Sequence, residues 1–384
     1  MVTVEVLLHL VRLALGKEQE CSLPDGVVWE EVETLAAQPG LSAVIVDGVE
    51  RLPEGQRPPK VVLLQWIGEV LQGYEYRFEQ YKKAISELAA FYNEHGFKMM
   101  VLKGYACSLD WPKPEHRPCG DIDIWLFGQQ AAADKALGSW FKVHGAESEI
   151  DNSHHHHSVF EWQGFTVENH YDFINTQAHR SSRRFERKLK ELAEFKVQSL
   201  ELSVQSQLKE CSDDSREIPS AELKGTTIYL PGADFNFLFL LRHMANHFVG
   251  KEMTLRQLLD WALLIEHHHE EIDWKEDLAF LEENGLLRYF NLMALICVER
   301  LGFSRDIFHC ELKEDELKER VFDDIIEPEY NVPLGKGVLR IMAGKSCRWW
   351  SNRWKHRLCY PDSLLSGFVY GVWAKIQKPA HFLH

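Results

Sequence analysis

The sequence predicts an α+β chain in which a small mixed sheet is flanked by helical N- and C-terminal regions. Three observations carry that expectation. Apolar residues recur at three- and four-residue steps from Val61 to Tyr92, short apolar runs bounded by Gly and Pro turns occupy residues 97–230, and helical periodicity returns from Asp234 onward. At 384 residues the chain exceeds the size at which one core usually stops growing. The expected divisions are a helical region at 1–90, a core at 91–232 and a helical domain at 233–384.

In chain order, VTVEVLLHLVRLALGKEQE after Met1 reads as an amphipathic first helix, because it carries Glu5 and Arg12 and has neither a basic start nor a small-residue cleavage site. Polar breaks follow at LPDG (23–26) and RLPEGQRPPK (51–60), and the 61–92 pattern predicts one long helix or a pair. FKMMVL (97–102) reads as a buried strand that enters a tight turn at Lys103–Gly104 and then a short helix. Beyond the Pro-rich WPKPEHRP (111–118), DIDIWLF (121–127) is a second strand, followed by an Ala-rich helix from Gln129 to Val143. Two strands are expected at His157–Trp162 and Phe165–Phe173, joined at Gln163–Gly164, and a last one at Thr226–Leu230 before Pro231–Gly232. Helices are expected over Asp234–Phe248, Thr254–His269, Trp274–Asn284 and Leu287–Leu301, with Asp234 and Thr254 as caps of the first two.

Composition narrows the class. Apolar residues make up 45% and charged residues 26%, as in ordinary globular proteins, and a net charge of −15 argues against broad nonspecific nucleic-acid binding. The eight cysteines are scattered without a CxxC pair, so reduced thiols in a cytoplasm fit better than a disulfide framework or a zinc ribbon. The late apolar run Leu364–Ala374 is too short to span a bilayer, and no transmembrane segment is expected.

The chemistry lies in KGYACSLDWPKPEHRPCGDID (103–123). Side chains at i and i+2 of a strand leave the same face, so Asp121 and Asp123 point together while Ile122 and Ile124 enter a core. Neighbouring carboxylates repel unless a cation sits between them, and hard oxygen ligands favour Mg²⁺ or Mn²⁺. Gly104, seventeen residues before Asp121, lies between an apolar strand and a helix, where free backbone N–H groups can cradle phosphate. That combination points to phosphoryl or nucleotidyl transfer. On the fourth predicted strand Phe165 and Val167 fall on one face, and Glu168, His170 and Asp172 on the other.

These elements, Lys103–Gly104, Arg117 and Gly120-Asp121-Ile122-Asp123-Ile124, resemble the nucleotidyltransferase superfamily that includes DNA polymerase β. The resemblance is closer to an uncharacterised bacterial nucleotidyltransferase-like family and spans roughly residues 85–265. It implies a third acidic ligand two residues before a histidine, which Glu168-Asn169-His170 matches, with Asp172 in reserve. The implied reaction moves an NMP from an NTP to an unidentified small molecule, protein or RNA end, with Asp121, Asp123 and Glu168 holding the metal and serving catalysis. Lys103, Gly104 and Arg117 would contact nucleotide, as would His243, His247 and Arg256 on later helices. One departure stands out: the superfamily usually places Ser after the turn glycine, where this chain has Tyr105.

Two other functions are weighed against this one. A protein that keeps the fold without turnover would follow from the missing serine. A metal-dependent phosphohydrolase would use His243 and His247, one turn apart, with Asp260. Three further motifs remain. The His154–His157 run reads as a polar edge strand or loop beside the cleft; the basic stretch 179–192 reads as a solvated helix face or a contact for acceptor phosphates; RWWSNRWKHR (Arg348–Arg357) mixes rings and cations suited to an anionic partner.

Overall fold

The computed structural model describes residues 2–19, 22–145, 148–154, 156–176, 179–205, 220–250, 252–328, 344, 347 and 349–363, with side chains left aside at 195–205. The run 364–374 and Arg348 lie outside the described residues.

Four helices open the chain: α1 (Val2–Ala14), α2 (Trp29–Ala37), α3 (Ser42–Glu50) and α4 (Lys60–Val70). α1 and α3 touch backbone to backbone at Gly48, where a Cβ would stand 2.2 Å from the carbonyl oxygen of Leu10. No side chain fits there, so the close approach requires glycine. The long 61–92 pattern resolves into α4, a π-helical turn at Leu71–Glu75, and α5 (Tyr76–Glu94).

The sheet has the order β3-β4-β2-β1-β6-β5, built from β1 (Met100–Val101), β2 (Ile122–Trp125), β3 (His157–Trp162), β4 (Phe165–His170), β5 (Ser220–Leu223) and β6 (Thr226–Tyr229). It is mixed: β2/β4 and β1/β6 run parallel, and the other three pairings are antiparallel. Between its strands lie the single turn α6 (Tyr105–Ser108), α7 (Gln130–His144) and α8 (Arg180–Gln205). Period-two patterning sorts the side chains. Ile122, Ile124, Phe160 and Val167 join Tyr81, Ile85 and Leu88 of α5 and Leu137 and Phe141 of α7 in one core, whereas Met100, Leu102 and Trp125 join a second. Each fully buried side chain of this size contributes roughly 1.5–3 kcal/mol.

The second core is shared with α9 (Ala233–Gly250), α10 (Leu255–His268), α11 (Trp274–Glu283), α12 (Leu287–Leu301) and α13 (Lys318–Ile326). The N-terminal helices belong to it too, since α1 packs on α12 and an Arg12 guanidinium N–H donates to the carbonyl of Arg300 at 2.8 Å.

The sequence-predicted elements are present, with three corrections. The strand expected over 97–102 pairs only at Met100–Val101. β5, not expected from the sequence, precedes the last strand predicted at 226–230; it is an edge strand in which Leu223 is the one buried residue, so its pattern is faint. Asp234 lies inside α9, and its Oδ1 accepts from the backbone N–H of Asp273 at 2.7 Å, so it tethers the start of α11. Thr254 does cap α10, with Gln257 Oε1 accepting from its backbone N–H at 2.9 Å.

Candidate functional site

The cleft begins where β1 ends. Gly104 has φ +56°, and a Cβ there would lie 2.1 Å from Tyr81 Oη. The Tyr81 hydroxyl needs that space because it donates to the carbonyl of Asp121 at 2.8 Å, fixing the backbone that leads into β2. One tyrosine on α5 therefore sets the glycine turn against the first acidic residue.

β2 and β4 then bring the carboxylates together. Their parallel register pairs Asp123 with Glu168, and Asp121, Asp123 and Glu168 all line one cleft of about 640 Å³. Asp123 is buried: its Oδ1 lies 2.7 Å from Lys103 Nζ and 3.0 Å from His170 Nε2. Burial alone would raise its pKa, but Lys103 and His170 outweigh burial and hold the carboxyl well below the usual range. Asp121 is shifted the other way, upward, by burial and by the like charges of Glu168 and Asp123. Glu168 is lowered: burial opposes the charge, and the neighbouring His170 imidazole outweighs it. Lys103 and His170 are both raised, since their carboxylate partners more than offset burial.

The antiparallel hairpin adds two imidazoles on the same face. β3 pairs His157 with His170; His157 Nδ1 and His170 Nε2 lie 3.7 and 3.6 Å from Glu168 Oε2. His157, Glu168 and His170 offer ligand atoms within 4.8 Å of one another, a closeness that Asp121, Asp123 and Glu168 do not share among the described residues. Sequence reading placed the histidine run beside the cleft but did not pair His157 with His170. The signal was available, because a two-residue turn at Gln163–Gly164 forces that partnership. His155 lies outside the described residues.

The opposite wall comes from α9 and α10. His243 and His247 line the cleft with ring centroids 4.5 Å apart, and burial together with the Lys103 charge pushes His243 well down. Arg117 also lines it, but its guanidinium is occupied: Nε and one terminal nitrogen donate to Asp260 at 2.8 and 2.9 Å, and Trp111 Nε1 donates to the same carboxylate at 2.8 Å. Beside this pair Arg256 reaches the cleft with its buried Nε lacking a hydrogen-bond partner, and burial and the Arg117 charge lower its basicity.

Other residues singled out from sequence fall elsewhere. Asp172 lies beyond the end of β4 and pairs with Lys190 at 2.5 Å, while the β2/β4 register sets Glu168 opposite Asp123. Tyr105 stacks on Phe78, with centroids 6.2 Å apart, and does not line the cleft. His243, His247 and Asp260 form no metal-ligand cluster among the described residues, and the commitment of Asp260 to Arg117 explains why. In the basic stretch Arg183, Arg184 and Arg187 are exposed while Phe185 and Leu189 are buried, the pattern of a solvated helix face. Of the described cations at 349–357, Lys355 is buried on Asp324 at 2.5 Å, and Arg353 lies over the Trp350 ring. Among the described residues no helix is long and apolar enough to cross a membrane.

A family model described as an uncharacterised nucleotidyltransferase matches residues 25–302. No curated protein and no solved structure matches the chain.

Proposed function

The chain belongs to the uncharacterised nucleotidyltransferase family, and from that premise we propose that it moves an NMP from an NTP to an acceptor hydroxyl, releasing pyrophosphate. The single observation that carries the reading is the convergence of Asp121, Asp123 and Glu168 from β2 and β4 on one cleft beside the Gly104 turn.

The donor set fits Mg²⁺ or Mn²⁺. Three carboxylates line one cleft, and burial together with its like-charged neighbours raises Asp121, so the cluster can accept further positive charge even with Lys103 present. Asp121, Asp123 and Glu168 would hold the ion, which when bound supplies neutralisation of charge on the transferred phosphoryl group and the leaving pyrophosphate.

The chain's own groups divide the remaining work. Glu168 accepts the proton of the acceptor hydroxyl as the new O–P bond forms at the α-phosphorus, and the bond to the β-phosphate bridging oxygen breaks with its electron pair leaving on pyrophosphate. His170, hydrogen-bonded to Asp123, holds that carboxylate in place. Gly104 keeps its backbone open to phosphate. Arg256, beside the neutralised Arg117–Asp260 pair, contributes the uncompensated positive charge on the far wall, and His243 and His247 line the same side.

A second reading, binding without turnover, is favoured by one observation: the Tyr105 ring packs on Phe78, so position 105 offers no side-chain hydroxyl to phosphate at the cleft. One experiment separates the two. Purified chain, Mg²⁺ or Mn²⁺, NTPs labelled at the α-phosphate and a cell extract of metabolites and RNA are incubated together. Transfer predicts label in an acceptor with stoichiometric pyrophosphate, abolished by Asp121→Asn; binding alone predicts retained nucleotide and no pyrophosphate.

A further inference from the structure

The β3–β4 hairpin gathers a ligand set of a different chemical character from the acid pair. His157 and His170 face each other across the antiparallel register, and Glu168, two residues before His170, leaves the same face. Their ligand atoms lie within 4.8 Å of one another. We propose that His157, Glu168 and His170 form a binding site for one divalent transition ion of the Zn²⁺ type, at the floor of the cleft next to Asp121 and Asp123.

Three observations support this. First, His157 Nδ1 is buried without a hydrogen-bond partner and points at Glu168 Oε2 from 3.7 Å. That gap is too long for a hydrogen bond. Two ligands that each stand ~2.0–2.1 Å from a shared tetrahedral ion are about 3.4 Å apart, so this gap, and the 3.6 Å between His170 Nε2 and Glu168 Oε2, would need to close by only a few tenths of an ångström. Second, His170 Nδ1 lies 3.2 Å from the carbonyl oxygen of Asp172. Donating its proton there leaves the Nε2 lone pair for the ion, which would replace the 3.0 Å Nε2 contact with Asp123, in the outer-shell arrangement that orients metal-binding imidazoles. Third, two imidazoles and one carboxylate select borderline ions over Mg²⁺, and all three side chains line the open cleft, which leaves a further coordination position for water or substrate oxygen.

The site goes beyond the transferase reading. It shares Glu168 with the hard-ion set but requires no turnover, so binding measurements address it alone. The full chain, stripped with chelator, is titrated with Zn²⁺ by calorimetry in excess Mg²⁺, and the zinc-loaded protein is examined by X-ray absorption. The expected result is one tightly bound Zn²⁺ with scattering from two imidazoles, resistant to Mg²⁺. His157→Ala should weaken Zn²⁺ binding by more than the ~10–100-fold that loss of an outer-shell partner costs. Asp121→Asn should leave it within a few-fold, with circular dichroism confirming that both variants fold. An oxygen-only absorption spectrum, displacement of Zn²⁺ by Mg²⁺, or unchanged Zn²⁺ affinity in folded His157→Ala would overturn the proposal. Absence of transfer activity alongside imidazole-bound zinc would leave the site standing and count against the transferase alone.

Discussion

The ammonium of Lys103 stands 2.7 Å from Asp123 Oδ1, and neither side chain is more than 18% exposed. This internal cation, together with His170, neutralises the carboxylate that β2 buries. A divalent ion at the acid cluster would compete with it directly.

Lys103→Met therefore has a two-part outcome. Without divalent ions it lowers thermal stability, because the buried Asp123 carboxylate then keeps only His170 as a partner, a loss bounded by the ~3–5 kcal/mol that breaking a buried pair costs. With Mg²⁺ or Mn²⁺ the gain in Tm should exceed that of the unaltered chain, since binding then restores the lost countercharge. Scanning fluorimetry with and without ions measures both, and equal ion-induced gains would show that lysine and ion do not share Asp123.

The two aspartates should separate on mutation. Asp121 is the more open of the two and is raised by its partial burial and by like charges, so Asp121→Asn should abolish transfer while leaving Tm unchanged or slightly higher. Asp123 is buried between two cations, so Asp123→Asn should lose activity and also destabilise the fold by about 3–5 kcal/mol. Denaturant melts alongside the label-transfer assay test this. A stable Asp123→Asn chain would mean that the Lys103 and His170 contacts carry little energy.

At Gly104, alanine introduces two faults: a left-handed backbone worth ~1–3 kcal/mol of strain and a Cβ only 2.1 Å from Tyr81 Oη. Removing that hydroxyl in Tyr81→Phe/Gly104→Ala eases the second fault to a 3.2 Å contact with the ring carbon Cζ and leaves the first. The double variant should thus be more stable than the sum of the two single losses predicts, as read by a double-mutant cycle. Simple additivity would show that the tyrosine moves aside freely.

Asp277 lies at 1% exposure with Oδ2 unpartnered; burial, and then Asp234, push its carboxyl up from 3.8 to about 8. Below the unfolded value both states are protonated and the group costs nothing. Between 3.8 and about 8 the folded chain keeps a proton that the unfolded chain has released, so stability falls as pH rises and levels off above about 8. Asp277→Asn removes that slope. Its Tm advantage should grow from near zero at acid pH to several degrees at pH 8, and an advantage independent of pH would contradict the assignment.

What the sequence made legible is local. DIDIWLF, the Gln163–Gly164 turn and the Glu168-Asn169-His170 triplet follow period-two patterning, and so the carboxylates of β2 and β4 were foreseeable as neighbours on one sheet face. The contacts that qualify the site are distant in the chain. Asp260 accepts from Arg117 across 143 residues, and Tyr81 reaches Asp121 across 40; neither leaves a periodic trace. Asp172 and Glu168 are equivalent by alternation; what separates them is that β4 ends at His170, with Glu168 in register with Asp123, while Asp172 beyond it pairs with Lys190 on α8. β5 escaped notice because an edge strand with one buried side chain lacks the alternation that marks a half-buried one.

The packing of α1 on α12 has a consequence for synthesis. A ribosome making this chain emits Arg12 long before its acceptor, the carbonyl of Arg300, exists. At ~5–20 residues per second the interval is on the order of tens of seconds. Throughout it, the flank of residues 2–14 that α12 will cover remains open to chaperones and to other nascent chains, so completion of this fold is set by the arrival of its late helices.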